Sequence, residues 1–180
     1  MSVQIKVFAK TEEVVNSGFA DVVHDLFMAS MVTDFADILT HLKESDVTDK
    51  LNDYAVKLEK FIESEGKPPI YLQESDMYVI AIEGENILGV ATLCWEYDIA
   101  SKGFRLANVF VVPSARRRGI ATQLVNAAIE CCDANETDYL SLNVAYHNKA
   151  AQALYAKYGF EPTRLNMIRK TQPKAEENVD

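Results

Sequence analysis

Val-Phe-Val-Val-Pro-Ser-Ala-Arg-Arg-Arg-Gly-Ile-Ala, at residues 109–121, is the stretch that decides the fold, because an apolar run stops at a proline and a basic turn follows. The run predicts a buried strand, and Pro113 ends it because proline cannot donate to a sheet ladder. Beyond Gly119, apolar residues repeat at helical spacing through Cys131. The basic turn, Arg116–Gly119, therefore opens a helix.

The position of this turn favours phosphate binding. A helix N-terminus presents unpaired N–H groups and the positive end of the helix dipole, and Gly119 lets a ligand approach the main chain closely. The turn lacks the Lys-Ser or Lys-Thr pair of a P-loop, and the Gly-x-Gly-x-x-Gly dinucleotide fingerprint is missing. Three arginines alone are more typical of a solvated surface turn. The ligand class that remains is a cofactor phosphate.

Length and charge limit the function classes. The chain has 180 residues, 48% of them hydrophobic, which predicts one domain over residues 1–170 and a charged, disordered tail at residues 171–180. The net charge of −9 opposes nucleic-acid binding, including a role built on the three arginines, and favours a cationic acceptor.

The termini and cysteines predict a cytoplasmic protein without a metal site. The N-terminus lacks the apolar core of a signal peptide, and no run approaches the length of a membrane span. The three cysteines, Cys94, Cys131 and Cys132, fit neither a disulfide framework nor a zinc spacing. We expect them to be reduced, and a nucleophilic Cys94 is the lesser alternative.

Helices are predicted between a first strand at residues 3–8 and the middle of the chain. Residues 10–66 contain two or three of them, ended by Gly66 and Pro68. The predicted buried positions are Val15, Phe19, Val22, Leu26 and Phe27, then Met31, Phe35, Ile38 and Leu42, and, after a cap at Asp46, Val47, Leu51, Tyr54, Leu58 and Phe61. The connection at residues 31–37 either overhangs a substrate site or only covers a sheet face.

The remaining pattern predicts a mixed sheet. A hairpin joins Met77–Glu83 to Asn86–Trp95 through Gly84-Glu85. The later predicted elements are a strand at Arg105–Val112, a helix at Gly119–Asp133, a strand at Tyr139–Ala145, a helix at Asn148–Tyr158 and a last strand at Arg164–Arg169. Two of these strands are connected to the following strand through a helix. Part of the sheet is therefore expected to be parallel, with helices on both faces.

A second constellation lies in the final helix. Asn148 is a good N-cap, and Ala151 and Tyr155 follow at steps of three and four residues. An amide, a small residue and a phenol therefore share one helix face at the carboxyl end of a strand.

With both motifs in view, the chain resembles the GCN5-related N-acetyltransferase (GNAT) superfamily from its first strand to Arg169. The first family signature corresponds to Pro113, Arg116, Gly119 and Ala121. The second corresponds to Asn148, Ala151, Leu154, Tyr155, Lys157, Gly159 and Phe160. The resemblance implies an α/β fold whose mixed, mostly antiparallel central sheet contains a splayed parallel strand pair.

The resemblance also implies that acetyl-CoA binds between the strands ending near Val112 and Ala145. Backbone groups of Val111 and Val112 would hold the pantetheine arm. The pyrophosphate would lie on the backbone N–H groups of Arg117, Arg118, Gly119, Ile120, Ala121 and Thr122. The Arg116 and Arg118 side chains would add charged contacts or face water. Asn148 would contact the cofactor, cap the helix, or do both.

In the family the acceptor amine attacks the thioester directly. Tyr155 matches the position of the general acid that meets the thiolate; a phenol is protonated at neutral pH. The alternative is a core aromatic. Asn108 occupies the position where many relatives carry a carboxylate base, which leaves Glu96, Asp98 and Tyr97 as candidates, acting directly or through water. Glu96 is the base we name, and a polar strand end is its alternative.

The function expected from the resemblance is acetyl-CoA-dependent N-acetylation of a primary amine, such as a polyamine, an aminoglycoside-like amine or a protein amine. The alternatives are transfer of a longer acyl group and a non-catalytic acyl-CoA-binding or interaction module, which Asn108 favours. A homodimer is compatible with the sequence. The sequence determines neither the acceptor, the base, the acyl length nor the oligomeric state.

Overall fold

A computed structural model describes residues 2–26, 76–97, 100–165 and 167. The elements are β1 (Gln4–Phe8), α1 (Thr11–Asn16), β2 (Met77–Glu83), β3 (Asn86–Tyr97), β4 (Lys102–Val111), a 3-10 turn (Pro113–Ala115), α2 (Ile120–Ala134), β5 (Tyr139–Leu142) and α3 (Lys149–Ala156). Residues 20–26 are also helical. The predicted helical positions from Phe27 to Phe61 and the predicted tail lie outside the described residues.

The five strands form one sheet in the order β1-β2-β3-β4-β5. Each of the first four strands is antiparallel to its neighbour, whereas β4 and β5 run parallel. Pairing of β4 with β5 ends at Leu106↔Leu142, but β4 itself continues to Val111. This leaves a gap beside residues 107–111 of β4. The predicted mixed, mostly antiparallel sheet with one parallel pair is confirmed.

Helices cover both faces of this sheet, as predicted, and each face has its own core. Alternate residues of β2 point in opposite directions, because side chains alternate across a strand. Tyr78 and Ile80 pack with Val14 of α1, and Val79 packs with Leu124 of α2. Each of these side chains is fully buried, and burying such a side chain stabilises the fold by about 1.5–3 kcal/mol.

The predicted buried face of the first helical section is correct at Leu26, which is buried, and at Phe19, which packs against the same core. It is wrong at two other positions. Val15 and Val22 are 46% and 43% exposed, whereas Val14 and Val23 are buried. The helix ends at Asn16. Gly18 then adopts a φ of +76° before residues 20–26 resume helical structure. One continuous helical periodicity therefore does not apply across this break.

Several strand boundaries also differ from the predictions. The hairpin at Gly84 is confirmed, but β3 and β4 pair as far as Tyr97↔Lys102, so β4 begins at Lys102 and not at the predicted Arg105. The strand β5 ends at Leu142, before its predicted end at Ala145. Of the predicted last strand, the described residues 164, 165 and 167 are not in a strand.

Candidate active site

The end of β4 presents its backbone to the gap. The N–H of Val112 donates to Leu88 O at 2.9 Å, so the backbone groups of the preceding Val111 point away from β3, because they alternate along an antiparallel strand. The Val111 carbonyl accepts from Arg116 Nε at 3.1 Å. The Val112 carbonyl accepts from Ala115 N at 2.9 Å. Of the two residues expected to hold pantetheine, Val111 faces the gap, whereas Val112 uses both backbone groups within the chain.

Two residues with a left-handed backbone conformation shape the basic turn. Arg117 has a φ of +65° and Gly119 a φ of +77°, and Gly119 is the N-cap residue of α2. A glycine cap has no side chain to occupy the first N–H groups of the helix, and such successive N–H groups form an anion-binding concavity. A Cβ atom added to Gly119 would meet no atom within 4 Å. The space beside Gly119 at the start of α2 is therefore open.

The arginine side chains have different partners. Arg118 donates to Glu83 of β2 at 2.7 Å and 3.4 Å. This hydrogen bond lowers the pKa of the Glu83 carboxyl below its usual range. The Arg116 guanidinium lies 5.7 Å from the centroid of the Phe110 ring, in addition to its bond to Val111. The side chain of Arg118 is thus directed to β2, not to a phosphate position.

A cleft of about 500 Å³ lies against the basic turn. Its lining residues are Val111, Ala115, Arg116, Arg117, Gly119, Ile120, Ala121, Thr122 and Lys157. Most of the predicted cofactor-binding residues are therefore together in one place. Lys157, at the C-terminal end of α3, was assigned no role from the sequence, although it belongs to the second signature. Its position adds a cation to the cleft.

The second signature mostly makes contacts within the chain. Asn148 Oδ1 accepts from Ala151 N at 3.1 Å, so the predicted helix cap is present. The Gln152 amide donates to the carbonyls of Ala145 and Tyr146, each at 2.9 Å. Neither the spacing nor the signature singled out Gln152, whose bonds fix the loop before α3.

Tyr155 is a buried residue of the core beneath α2. It is 8% exposed. Its ring packs edge to face on Phe160, with centroids 5.7 Å apart. The packing therefore fits the alternative that Tyr155 is a core aromatic. This packing is also compatible with a catalytic role for the hydroxyl.

Glu96 is engaged by two neighbouring strands. Its Oε1 lies 3.1 Å from Arg105 Nε, and its Oε2 accepts from Ser141 Oγ at 2.6 Å. Glu96 is paired with Gly103, which lies about 16 Å along β4 from Asn108 at roughly 3.3 Å per residue. Of the other candidate bases, Tyr97 is 75% exposed, and Asp98 lies outside the described residues.

Asn108 lies in a bulge of β4. Its φ is +52°, a conformation that costs most non-glycine residues about 1–2 kcal/mol and that asparagine tolerates better. Its Nδ2 donates to Thr92 Oγ1 at 2.9 Å. Thr92 was missed because it stands within an apolar run, where a hydroxyl gives no periodic signal.

Residues 35–160 match the family model described as the Acetyltransferase (GNAT) family, a match that covers more than half of the chain. The chain belongs to this family. The GNAT signatures quoted from the sequence thus correspond to the basic turn beside the cleft and to α3 with its capping residue.

Named relatives are similar over part of their length. The chain is 32% identical over 85 residues to the uncharacterized N-acetyltransferase YhfO of Bacillus subtilis, covering 46% of this chain and 57% of that protein. It is 33% identical over 90 residues to an uncharacterized N-acetyltransferase of Methanocaldococcus jannaschii, covering 49% and 40%. The matches thus span about half the length of these relatives.

A solved structure of the same fold contains a ligand. It is the crystal structure of a "predicted acetyltransferase" from Clostridium acetobutylicum with acetyl-CoA, at a TM-score of 0.58 and 14% identity, covering 94% of this chain and 96% of that one.

Among the described residues of this GNAT protein, no helix is long and apolar enough to cross a membrane. The same residues contain no group of three or more His, Cys, Asp or Glu that could hold a metal ion.

Proposed function

We propose that this protein is an acetyl-CoA-dependent N-acetyltransferase that acts on a primary amine. The observation that carries the proposal is the cleft in which Val111 of β4 and the first turn of α2 meet. The family and the acetyl-CoA-bound neighbour support acetyl-CoA as the co-substrate.

The pyrophosphate of acetyl-CoA is assigned to the N-terminus of α2. The open space above Gly119 leaves its N–H groups accessible to phosphate oxygens. Arg116, Arg117 and Lys157 contribute positive charge to the same cleft, against an overall net charge of −9. Charge-assisted hydrogen bonds of this kind are about twice as strong as neutral ones.

The pantetheine arm is assigned to the gap between β4 and β5. Val111 offers an outward N–H there, which can pair with an amide of the arm as an added strand would. This direction brings the thioester toward the bulge at Asn108, where the two strands separate.

In the proposed reaction the amine nitrogen attacks the thioester carbonyl, the C–N bond forms and the C–S bond breaks. Tyr155 donates its phenolic proton to the leaving thiolate and is reprotonated from solvent. The attacking nitrogen releases its proton to water, because Asn108 cannot accept one and Glu96 is already bonded to Arg105 and Ser141. Holding amine and thioester together supplies much of the rate.

A non-catalytic acyl-CoA-binding module is the second candidate. It is favoured by the same two observations, namely an amide at residue 108 and a Glu96 carboxylate that is committed to two partners. Thiol release separates the candidates: an enzyme frees CoA with at least one amine, whereas a binding module retains acetyl-CoA with every amine.

The proposal is tested by acetyl-CoA titration calorimetry followed by a thiol-release screen of polyamines, aminoglycosides, amino acids and peptide N-termini. Gly119→Ala should weaken acetyl-CoA binding about tenfold or more, because its methyl group would occupy the phosphate position. Gly18→Ala is the matched control, since Gly18 has nearly the same φ, +76°, and equally open surroundings. Equal acetyl-CoA affinity in the two variants would contradict the assigned phosphate site.

A further inference from the structure

The bulge in β4 is built from a non-glycine residue. Val90 pairs with Phe110 and Thr92 pairs with Ala107, so Ala91 of β3 faces both Asn108 and Val109. Asn108 takes up the extra residue with its φ of +52°. A bulge of this kind bends the strand that contains it and locally disrupts its pairing.

Thr92 ties the bulge to β3. It is 3% exposed and therefore buried within the sheet. Its hydroxyl accepts from Asn108 Nδ2 at 2.9 Å and donates to the Ala107 carbonyl at 3.3 Å. The two bonds therefore reach Asn108 in the bulge and Ala107 immediately before it. A buried hydroxyl with this arrangement resists movement, because leaving either partner unsatisfied is costly.

The bulge coincides with the point at which β4 leaves β5. The last β4–β5 pair is Leu106↔Leu142, immediately before the first residue bonded to Thr92. After the bulge, Val111 presents its backbone to the gap and Arg116 bonds to its carbonyl. The direction of residues 109–111 is therefore set by the bulge.

We propose that Thr92 and Asn108 are positioning residues for acetyl-CoA: their side-chain bond holds the bulge that opens the gap and aims the end of β4 at the thioester. The inference rests on the proposed function and deepens it. In this role Asn108 fixes the backbone direction of β4. It does so at the position where the family resemblance implies a proton acceptor.

The test uses the full chain and compares two variants that break the bond with one that keeps it. Thr92→Val removes the hydroxyl at nearly constant volume, and Asn108→Gly keeps the positive φ but removes the amide. Thr92→Ser retains the hydroxyl. Asn135→Ala is the matched control, since Asn135 Nδ2 also donates to an acceptor, Cys131 O at 2.8 Å, but at the far end of α2.

The Kd for acetyl-CoA, the KM for acetyl-CoA and kcat are measured with wild type and each variant, at a temperature where denaturant unfolding shows all of them folded. Thr92→Val and Asn108→Gly should raise Kd and KM about tenfold, because the end of β4 would no longer be held in the direction that pairs with acetyl-CoA. They should also lower kcat, because a displacement of about 1 Å can cost up to about 10²-fold in rate. Thr92→Ser and Asn135→Ala should stay within about twofold of wild type.

The outcomes separate the two proposals. Wild-type protein that binds no acetyl-CoA would overturn the proposed function itself. Wild-type affinity in a folded Asn108→Gly or Thr92→Val protein would overturn the positioning role alone. If Thr92→Val does not fold, Asn108→Gly decides the question by itself, and loss of affinity in Asn135→Ala to the same extent would also count against the inference.

Discussion

Residues 109–122 and residues 148–160 carry the two signatures, but they face their surroundings in opposite ways. In the first region the backbone of Val111 and the N-terminus of α2 face an open cleft. In the second, Asn148 caps its own helix and Tyr155 is buried against Phe160, and only Lys157 lines the cleft. A signature therefore combines residues that face a ligand with residues that build the element presenting them.

Tyr155→Phe is expected to have the largest effect, and it tests whether Tyr155 in the second region has a catalytic role besides packing. If the phenol is the general acid, the variant should lower kcat about 10²-fold or more, because general acids contribute roughly 10²–10⁴-fold. Acetyl-CoA affinity should change less than about twofold, since the ring that packs on Phe160 is retained. The measurement is single-turnover thiol release with calorimetry on the same protein. Tyr158→Phe, three residues further along, is the control, and unchanged kcat in Tyr155→Phe would leave Tyr155 as a core residue alone.

Lys157→Met tests the one residue of the second region that lines the cleft. Removing its charge should weaken acetyl-CoA binding about tenfold at low salt, as expected for a charge-assisted contact to phosphate. The loss should shrink as salt is added, because partly exposed charges are screened. Lys149→Met is the control, since Lys149 lies at the other end of α3, 3.8 Å from the centroid of the Tyr146 ring. Equal affinities in the two variants would remove Lys157 from the site.

How far the sequence alone could predict this arrangement depends on the range of each interaction. Pro113, Gly119 and Asn148 act on their own neighbours, so their roles as strand end, helix entry and cap were predictable. The bond from Asn108 to Thr92 spans 16 residues, and that from Arg118 to Glu83 spans 35. Partner choice over such distances depends on strand register, which local periodicity does not specify.

The first helix illustrates the same limit at shorter range. Its apolar positions fit one periodicity from Val15 to Leu26, but Gly18 at a φ of +76° resets the phase between two helical segments. A glycine inside a helical pattern signals a break without giving the new direction. The buried residues Val14 and Val23 therefore follow from the fold and not from the spacing.

Asn148→Ala tests whether the cap in the second region is only structural. Loss of the Oδ1 acceptor should lower the free energy of unfolding by about 1 kcal/mol. Asn148→Ser should restore most of that stability, because serine also caps. Urea denaturation and acetyl-CoA titration of both variants check this. If Asn148→Ser is as stable as wild type but binds acetyl-CoA more weakly, the amide contacts the cofactor as well as capping the helix.

Glu83→Gln is expected to have the smallest effect, and it tests whether Arg118 belongs to the site. Because the hydrogen bond from Arg118 lowers the pKa of Glu83 in the folded state from 4.5, its stabilising contribution is present above about pH 4.5 and is lost as the pH falls through the lowered value. Glu83→Gln should therefore lose less stability than wild type as the pH falls, when urea midpoints are measured between about pH 3 and pH 7. Since the pair is exposed, its contribution to stability is small. Acetyl-CoA affinity should stay within about twofold of wild type if Arg118 serves only to fasten the basic turn to β2. A clear gain in affinity would instead mean that Glu83 competes with the cofactor phosphate for Arg118, and the first region would then bind through side chains as well as backbone.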